Sequence, residues 1–460
     1  MNQVLNEEFD WQRCPEVGRL IARRVDHVVG DIPFASRLRK CMLDATGTRL
    51  IDWVDHLCLP VTDSLSRMVE EMGYVRAARD VEEEVWRHPA ALVPTIRIRE
   101  QATADVCLKV DSVTDFLQAH QLDDVAVMGH LDSIVKSAIV AQADNCRLAV
   151  IERHGTSGFQ GEAISEATRN SLVEHAAAFL NRERIFSDGN SVFNEVAGFE
   201  QAHRLIEAAV DDLGVNRACD LFFESERCYW ESRNQAARMQ KKRQDQLGLG
   251  WANHDHHTYR SSREVFSRLV GLLESLGFTC RERFYGGADA GWGAQVLEQA
   301  HAGIVVFADV DLAPDEVAGD FAHEGLAARD ELGTVGLWCK LHGEAIMAAG
   351  MHHLECQFDF DAARAQLADA GIETMKPFTD FEYLKQAFTV GEVWEIDPGR
   401  IELLRKTGQI NNEQCNQFLD HGSVGSHLEI LQRDDGYKGF NQTGISEIIL
   451  ATDPRHRGVV

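Results

Sequence analysis

The densest group of metal-competent side chains in the 460-residue chain is Asn253-His254-Asp255-His256-His257-Thr258-Tyr259-Arg260. Neutral imidazoles and a carboxylate together suit a divalent transition metal. If the segment is a strand, side chains two apart share a face. His254, His256, Thr258 and Arg260 are then expected on one side, with Asp255, His257 and Tyr259 on the other. That first face offers a metal ligand and, four residues on, an arginine whose planar fork can clamp a carboxylate. The competing reading of the cluster alone is a solvated, histidine-rich turn.

A second histidine pair lies in Met351-His352-His353-Leu354-Glu355-Cys356-Gln357-Phe358. Leu354, Cys356 and Phe358 suit packing against a following helix, so Met351, His353, Glu355 and Gln357 are expected to point into a cavity, with His352 at its rim. An open catalytic metal site also wants a carboxylate. Candidates are Glu298, Asp309, Asp311, Glu355, Glu395 and Glu429, among which alternation does not choose.

The elements that must position these groups can be read from periodicity. Residues 1–90 read as mainly helical. Strands are expected at 92–98, 104–110, 125–128 and 147–151, with helices at 113–119 and 131–142. Long helical patterns follow at 162–182, 199–213 and 219–246. The charged end of the last, Lys241-Lys242-Arg243 and its neighbours, marks a domain boundary at 248/249. From there the pattern is strand 253–260, helix 262–276, strand 279–284, a glycine-rich hairpin, and strands 292–297 and 304–307. A weaker copy follows: strand 351–358, helix 360–370, and strands 390–396, 401–405 and 426–432. The expected fold class is α+β, with a paired βαβββ half-barrel over 249–460 and an N-terminal mixed helical and α/β domain over 1–248.

Composition narrows the function classes. A net charge of −27 opposes binding to a phosphate backbone, so nucleic acid is not an expected partner. Eleven cysteines, odd in number and never spaced Cys-x-x-Cys, point to a reducing cytoplasm and away from a disulfide framework or zinc ribbon. The acidic first residues lack signal-peptide character and no apolar run approaches a membrane span, so no membrane association is expected. His154, in Glu152-Arg153-His154-Gly155-Thr156-Ser157-Gly158, reads as a turn or interdomain residue. Neither that segment nor Gly422-Ser423-Val424-Gly425 completes a nucleophile elbow.

Residues 250–440 resemble the iron-dependent 2-oxoadipate dioxygenase/decarboxylase (hydroxyglutarate synthase) family, a variant of the vicinal oxygen chelate fold. His256 and Arg260 match its histidine and arginine four residues apart before a helix. His352-His353-Leu354 ahead of Phe358-Asp359-Phe360-Asp361 is similar to its second histidine strand. Gly425-Ser426-His427-Leu428-Glu429-Ile430-Leu431-Gln432-Arg433 is similar to the strand carrying its carboxylate. The chain departs from the pattern at His257, Cys356-Gln357 and Leu428.

The resemblance implies Fe(II) held by His256, His353 and Glu429, with positions left open for a small 2-oxo acid and dioxygen. It implies oxidative decarboxylation with hydroxylation of the shortened acid. Arg260 would bind the distal carboxylate, with Arg405 and Arg433 as further candidates for that work. Trp292 and Phe284 are candidate cavity walls, and Tyr259 and His427 candidates to orient a ligand. The arginine spacing favours His256 over His257. The alternatives are another metal-dependent enzyme of this fold, such as an isomerase, lyase or ring-cleaving dioxygenase, or a non-catalytic binding protein. A homo-oligomer is compatible with the sequence.

Overall fold

The computed structural model describes residues 11–79, 83–130, 132–161, 163–187 and 193–455. Two mixed sheets dominate it. The first contains β1 (Val54–Pro60), β2 (Val75–Arg79), β3 (Glu83–Arg87), β4 (Thr95–Arg99), β5 (Ala104–Lys109), β6 (Val127–Met128), β7 (Val135–Gln142) and β8 (Cys146–Arg153), in the order β2-β3-β4-β1-β5-β8-β7-β6. The second contains β9 (His254–Arg260), β10 (Thr279–Tyr285), β11 (Trp292–Gln299), β12 (Ile304–Asp311), β13 (His353–Gln357), β14 (Thr379–Phe381), β15 (Leu384–Phe388), β16 (Glu392–Trp394) and β17 (Ser423–Arg433). Its order is β10-β11-β12-β9-β13-β17-β15-β14, with β16 on β17.

The two sheets share a plan. β1 runs parallel to β4 and antiparallel to β5, and β5 parallel to β8. β9, β12, β13 and β17 repeat those relations. Each sheet is a strand, a helix and three strands, run twice, with the two opening strands side by side. The linking helices are Leu65–Glu71, Val113–Ala119, Phe266–Ser275 and Phe360–Asp369. The last repeat also carries an insertion of β16 and two helices, Pro398–Lys406 and Asn412–His421, ahead of β17.

Four helices, Glu166–Leu180, Glu195–Leu213, Val215–Ser232 and Gln235–Asp245, separate the sheets in sequence. Their buried faces, with Phe179, Phe199, Phe222 and Phe223, share one apolar core with Leu269 and Leu273 of the second sheet's helix and with Leu354, Cys356 and Phe358. The first sheet has its own core, built on Leu20, Ile21, Leu57, Ile96, Leu108 and Leu148. The cores therefore divide before the helical layer, whereas the sequence boundary at 248/249 falls after it.

Several elements differ from the sequence reading. Residues 54–60, 75–79 and 83–87, expected as helix, are strands. Within the expected helix over 131–142, residues 135–142 are β7, whose Val135 and Ile139 pair with β8. The expected strand at 401–405 is the helix Pro398–Lys406, started by Pro398 and by the Asp397 side chain, which accepts from the Gly399 N–H. Of the expected strand at 390–396 only Glu392–Trp394, β16, is a strand. The single helix expected over 219–246 breaks at Asn234, which caps a new one. Residues 1–10 lie outside the described residues. No helix among the described residues is long and apolar enough to cross a membrane.

A buried ionic group ties the helical layer to β9. Glu226 is fully buried and accepts from Arg182 Nη2 at 2.6 Å and Arg184 Nη2 at 2.7 Å. Tyr259 on β9 donates its hydroxyl to the same carboxylate at 3.4 Å. Both arginines also donate to the Ile346 carbonyl, at 2.6 and 3.1 Å, which pins the segment Ala345–Ala349. Burial alone would raise the Glu226 pKa, but the two guanidinium groups outweigh it and hold the carboxyl below its ordinary value. Removing one member of such a group leaves uncompensated buried charge, which costs about 3–5 kcal/mol. Glu226→Ala is expected to destabilise the protein by about that amount, read from the urea unfolding midpoint; a loss below about 1 kcal/mol would mean that the arginines find other acceptors.

Candidate metal centre

β9, β13 and β17 are neighbours at the middle of the second sheet. In register, His256 on β9 and Glu429 on β17 both stand opposite Glu355 on β13, and His353 stands opposite Thr258 and His427. Three adjacent strands thus bring His256, His353 and Glu429 onto one face. Each offers a ligand atom, all within 4.8 Å of one another, and the residues are 4%, 7% and 2% exposed. His353 Nε2 is 3.1 Å from Glu429 Oε2, and the two imidazole centroids are 6.1 Å apart.

The alternation expected along β9 does not hold throughout. Between Glu355 and Cys356 the partner on β9 jumps from His256 to His254, so Asp255 is an extra, bulged residue. The bulge turns Asp255 inward beside His256. It places His254 with His257 on the outer side, their rings 5.2 Å apart. His257 packs on Phe223, and Tyr259 reaches Glu226. His256 and not His257 therefore joins His353 and Glu429, while His254 does not share the His256 face.

Both imidazoles are oriented through their second nitrogen, as ligating histidines usually are. His256 Nδ1 lies 3.3 Å from Asp255 Oδ1 and 3.0 Å from Glu355 Oε1. His353 Nδ1 lies 2.9 Å from His352 Nδ1. Glu429 accepts from Gln386 Nε2 at 3.1 Å, and the same amide donates to Glu355 Oε2 at 3.0 Å. Asp255, His256 and Glu355 also stand close enough to hold an ion. That trio, however, contains a guanidinium: Arg433 lies 3.1 Å from Asp255 and 3.5 Å from Glu355, a charge that opposes a metal there.

The charges of this face are strongly interdependent. Burial would lower the His256 pKa, but Glu355 and Asp255 outweigh it and raise it to about 9. Burial, with the nearby His256, His427 and Arg260, pushes His353 well below its ordinary value. Burial and the charges of Glu355 and Asp255 push the Glu429 carboxyl well up. Glu355 is held low against its burial by His256 and by a hydrogen bond with Glu429. Without a cation His256 thus keeps its proton at neutral pH, and the Glu429 carboxyl is harder to ionise than usual.

The other candidates are placed as follows. Arg260 is 1% exposed, has no ion pair among the described residues, and lies 5.6 Å from the Trp338 ring; its Nε has no hydrogen-bond partner. Arg405 is not at the site. It sits on the exposed face of its helix and pairs with Glu402 at 2.7 Å, because the segment is helical and points it to solvent. Arg433 is buried, but committed to Asp255 and to the carbonyls of Tyr437 and Gly439 at 3.3 and 2.6 Å, so it braces Asp255. Asp309 is buried, and burial raises its pKa to about 7 against the charges of Arg260 and His256.

Asp311 accepts from the Val335 and Gly336 N–H groups at 3.0 and 2.9 Å and so anchors the start of the helix Thr334–His342. Glu298 pairs with Arg281, and Glu395 is exposed. His352 is not at a rim: it is 2% exposed and packed against Trp338, His353 and His427. His427 Nδ1 donates to the Thr389 carbonyl at 2.9 Å. Phe284 and Trp292 belong to the apolar cluster that includes Phe307, Phe388 and Trp338. His154 bridges Glu152 and Asp220, linking β8 to the helix Val215–Ser232. The sequence reading missed Trp338 and Gln386. Gln386 had a signal, since Leu384, Gln386 and Phe388 alternate, whereas Trp338 sits in an insertion between repeats.

No protein-family model and no curated protein matches the chain. Among solved structures it is similar to a variant of 4-hydroxymandelate synthase from Streptomyces coelicolor, with 11% identity, 87% of this chain and 97% of that chain covered, and a TM-score of 0.28. It is similar to methylmalonyl-CoA epimerase from Mycobacterium tuberculosis, with 12% identity, 40% and 88% covered, and a TM-score of 0.22. It is also similar to the protein YdcJ from Shigella flexneri, which includes domain DUF1338, with 12% identity, 63% and 83% covered, and a TM-score of 0.24.

A metal held by His256, His353 and Glu429 would have to displace the proton held on His256. Loading the apo-protein with Fe(II), or with Co(II) as a redox-stable probe, is expected to release at least about one proton near neutral pH. Below pH 9 the His256 proton competes with the ion, so affinity should rise with pH until His256 has titrated, at about 9. Calorimetry in buffers of different ionisation enthalpy measures both, and proton release near zero with a flat pH profile would contradict the assignment.

Proposed function

We propose that this protein is a non-haem Fe(II) dioxygenase of the vicinal oxygen chelate type, acting on a small 2-oxo acid by oxidative decarboxylation with hydroxylation. His256, His353 and Glu429 would hold the iron, and Arg260 the substrate's distal carboxylate. One observation carries the reading: a buried two-histidine, one-carboxylate set converges from three adjacent strands, with an unpaired buried arginine on the same face of β9. The donor set fits a divalent transition metal, with each histidine's other nitrogen already held. The strand-helix-three-strand plan of the second sheet also supports it. Iron bound there would supply dioxygen activation and a chelation point for the 2-oxo carboxylate.

The surrounding residues then have definable work. The Arg260 guanidinium, desolvated and without an ionic partner, would give a charge-assisted pair to a carboxylate, and its position four residues from His256 sets the distance at which that carboxylate must stand. Phe307 and Phe440 pack against the His256 ring at centroid distances of 4.4 and 5.7 Å, and Phe388 against His353 at 5.0 Å, so they exclude water from the metal-facing side. Asp309, close to half protonated at neutral pH, is placed to exchange a proton with a bound acid.

Anaerobic reconstitution with Fe(II), followed by oxygen uptake and CO2 release across a panel of 2-oxo acids, tests the activity. Equal uptake and release is the expected result; turnover without oxygen uptake would replace the dioxygenase by an isomerase or lyase. His256→Ala, His353→Ala and Glu429→Ala should each weaken iron binding at least ~100-fold, while His254→Ala and His257→Ala should retain it. Arg260→Lys should keep its iron and raise KM by about 10- to 150-fold, the worth of ~1.5–3 kcal/mol for a charged hydrogen bond.

A further inference from the structure

A cavity of about 710 Å³ lies between the two sheets, away from the metal-facing side of His256 and His353. One wall is an end of the first sheet, where Arg87 closes β3, Lys109 closes β5 and Arg153 closes β8. The facing wall is the turn 300–303 and the segment 433–436 after β17. The volume is typical of a small-molecule site.

Its charges do not cancel. Among the lining carboxylates, Asp52 and Asp434 pair with Arg49 at 2.6 and 2.8 Å, Asp55 pairs with Arg153 and His56, and Asp435 pairs with Arg13 at 2.7 Å. Arg433 is taken by Asp255 at 3.1 Å, and Arg19 by Glu16. Among the described residues two lining cations remain without an acidic partner at ion-pair distance. Arg87 donates to the Ser157 carbonyl, at 2.9 Å. Lys109 makes no ion pair or hydrogen bond among the described residues; of the acids that act on it from further off, Asp220 is paired with Arg217 and His154, and Asp111 accepts from the Trp251 N–H.

A half-buried cation without a partner is a ready point for an anion, and a protein of net charge −27 has acids to spare for neutralising it. Asp52 and Asp434 share Arg49, so the surplus charge is modest, but Arg87 and Lys109 are the lining cations with no carboxylate at ion-pair distance among the described residues, and they can receive negative charge. The strand order β3-β4-β1-β5 puts three strand spacings, about 14 Å, between the Arg87 and Lys109 backbones. The two side chains reach inward from separate points.

We propose that this cavity is a binding site for a small organic anion carrying two separated acidic groups, a dicarboxylate or a phosphorylated carboxylate. Lys109 takes one group and Arg87 the other. None of His256, His353 and Glu429 lines the cavity; Arg433 and Gln357 border both sites through Asp255.

Calorimetric titration of the full-length protein with succinate and with 3-phosphoglycerate, using acetate as the single-charge control, tests the assignment and separates the two ligand types. Saturable binding of at least one diacid, at least 10-fold tighter than acetate, is expected. Lys109→Met and Arg87→Met should each weaken it at least 10-fold, and Arg260→Met should leave it unchanged. In the ligand-free protein Lys109→Met should hold or raise Tm, since it removes an unpaired, half-buried charge. The proposal is overturned if neither diacid binds, if binding survives Lys109→Met but is lost in Arg260→Met, or if ligand-free Lys109→Met melts several degrees lower, which would reveal a partner for the ammonium within the fold.

Discussion

The placement of Glu355 between His256 and Glu429 is the constraint around which the second sheet is organised. A carboxylate at the centre of β13, fully buried and flanked on both neighbouring strands, must be compensated where it stands. His256 supplies one contact, Gln386 a second and Arg433 a third. Each of these is itself fixed by its strand, so the compensation of one charge aligns β9, β13, β15 and β17. The same contacts hold His256 Nδ1 and one oxygen of Glu429, which directs the remaining donor atoms toward His353. The ligand-like geometry is thus a consequence of satisfying a buried carboxylate.

The bulge at Asp255 makes this compensation possible. With regular alternation Asp255 would face the helical layer, away from Arg433. The extra residue brings it inside, against Arg433 and Gln357 at 3.1 and 3.3 Å. On the other side of β9, His257 and Tyr259 meet the helix Val215–Ser232, and Glu226 fixes that contact. One strand therefore serves an ionic inner face and an aromatic outer face, and a single inserted residue separates the two.

The first sheet repeats the strand plan without repeating the chemistry. At the place of β9 stands β1, whose His56 Nδ1 is bound by Asp55 at 2.6 Å and whose Nε2 lies 3.4 Å from the Arg97 guanidinium. A fixed cation beside the imidazole opposes a metal there. The only metal-competent group among the described residues of that half is His27, Asp31 and Cys146, which joins a helix to a strand end and does not converge inside the sheet. Among the described residues the duplicated framework thus brings a metal-competent set together inside one sheet only, and the other sheet contributes the end that carries Arg87, Lys109 and Arg153.

Much of the site could be read from residue order. The strand at 254–260, the inward His353, the outward Leu354, Cys356 and Phe358, and Glu355 and Glu429 as carboxylates in strands all follow from alternation of residue types, a local property. So does the helix that follows β9. The chain by itself determined which side chains were available and, along each unbroken strand, which shared a face. Three things required tertiary structure. The Asp255 bulge depends on what β13 and Arg433 offer across the strand, so no period within β9 announces it. Arg405 and Arg433 look alike in sequence, yet one is on a solvated helix and the other buried against two acids, because burial and pairing are set by distant segments. The convergence of His256, His353 and Glu429 depends on β13 lying between β9 and β17, a pairing across about 170 residues that only folding decides.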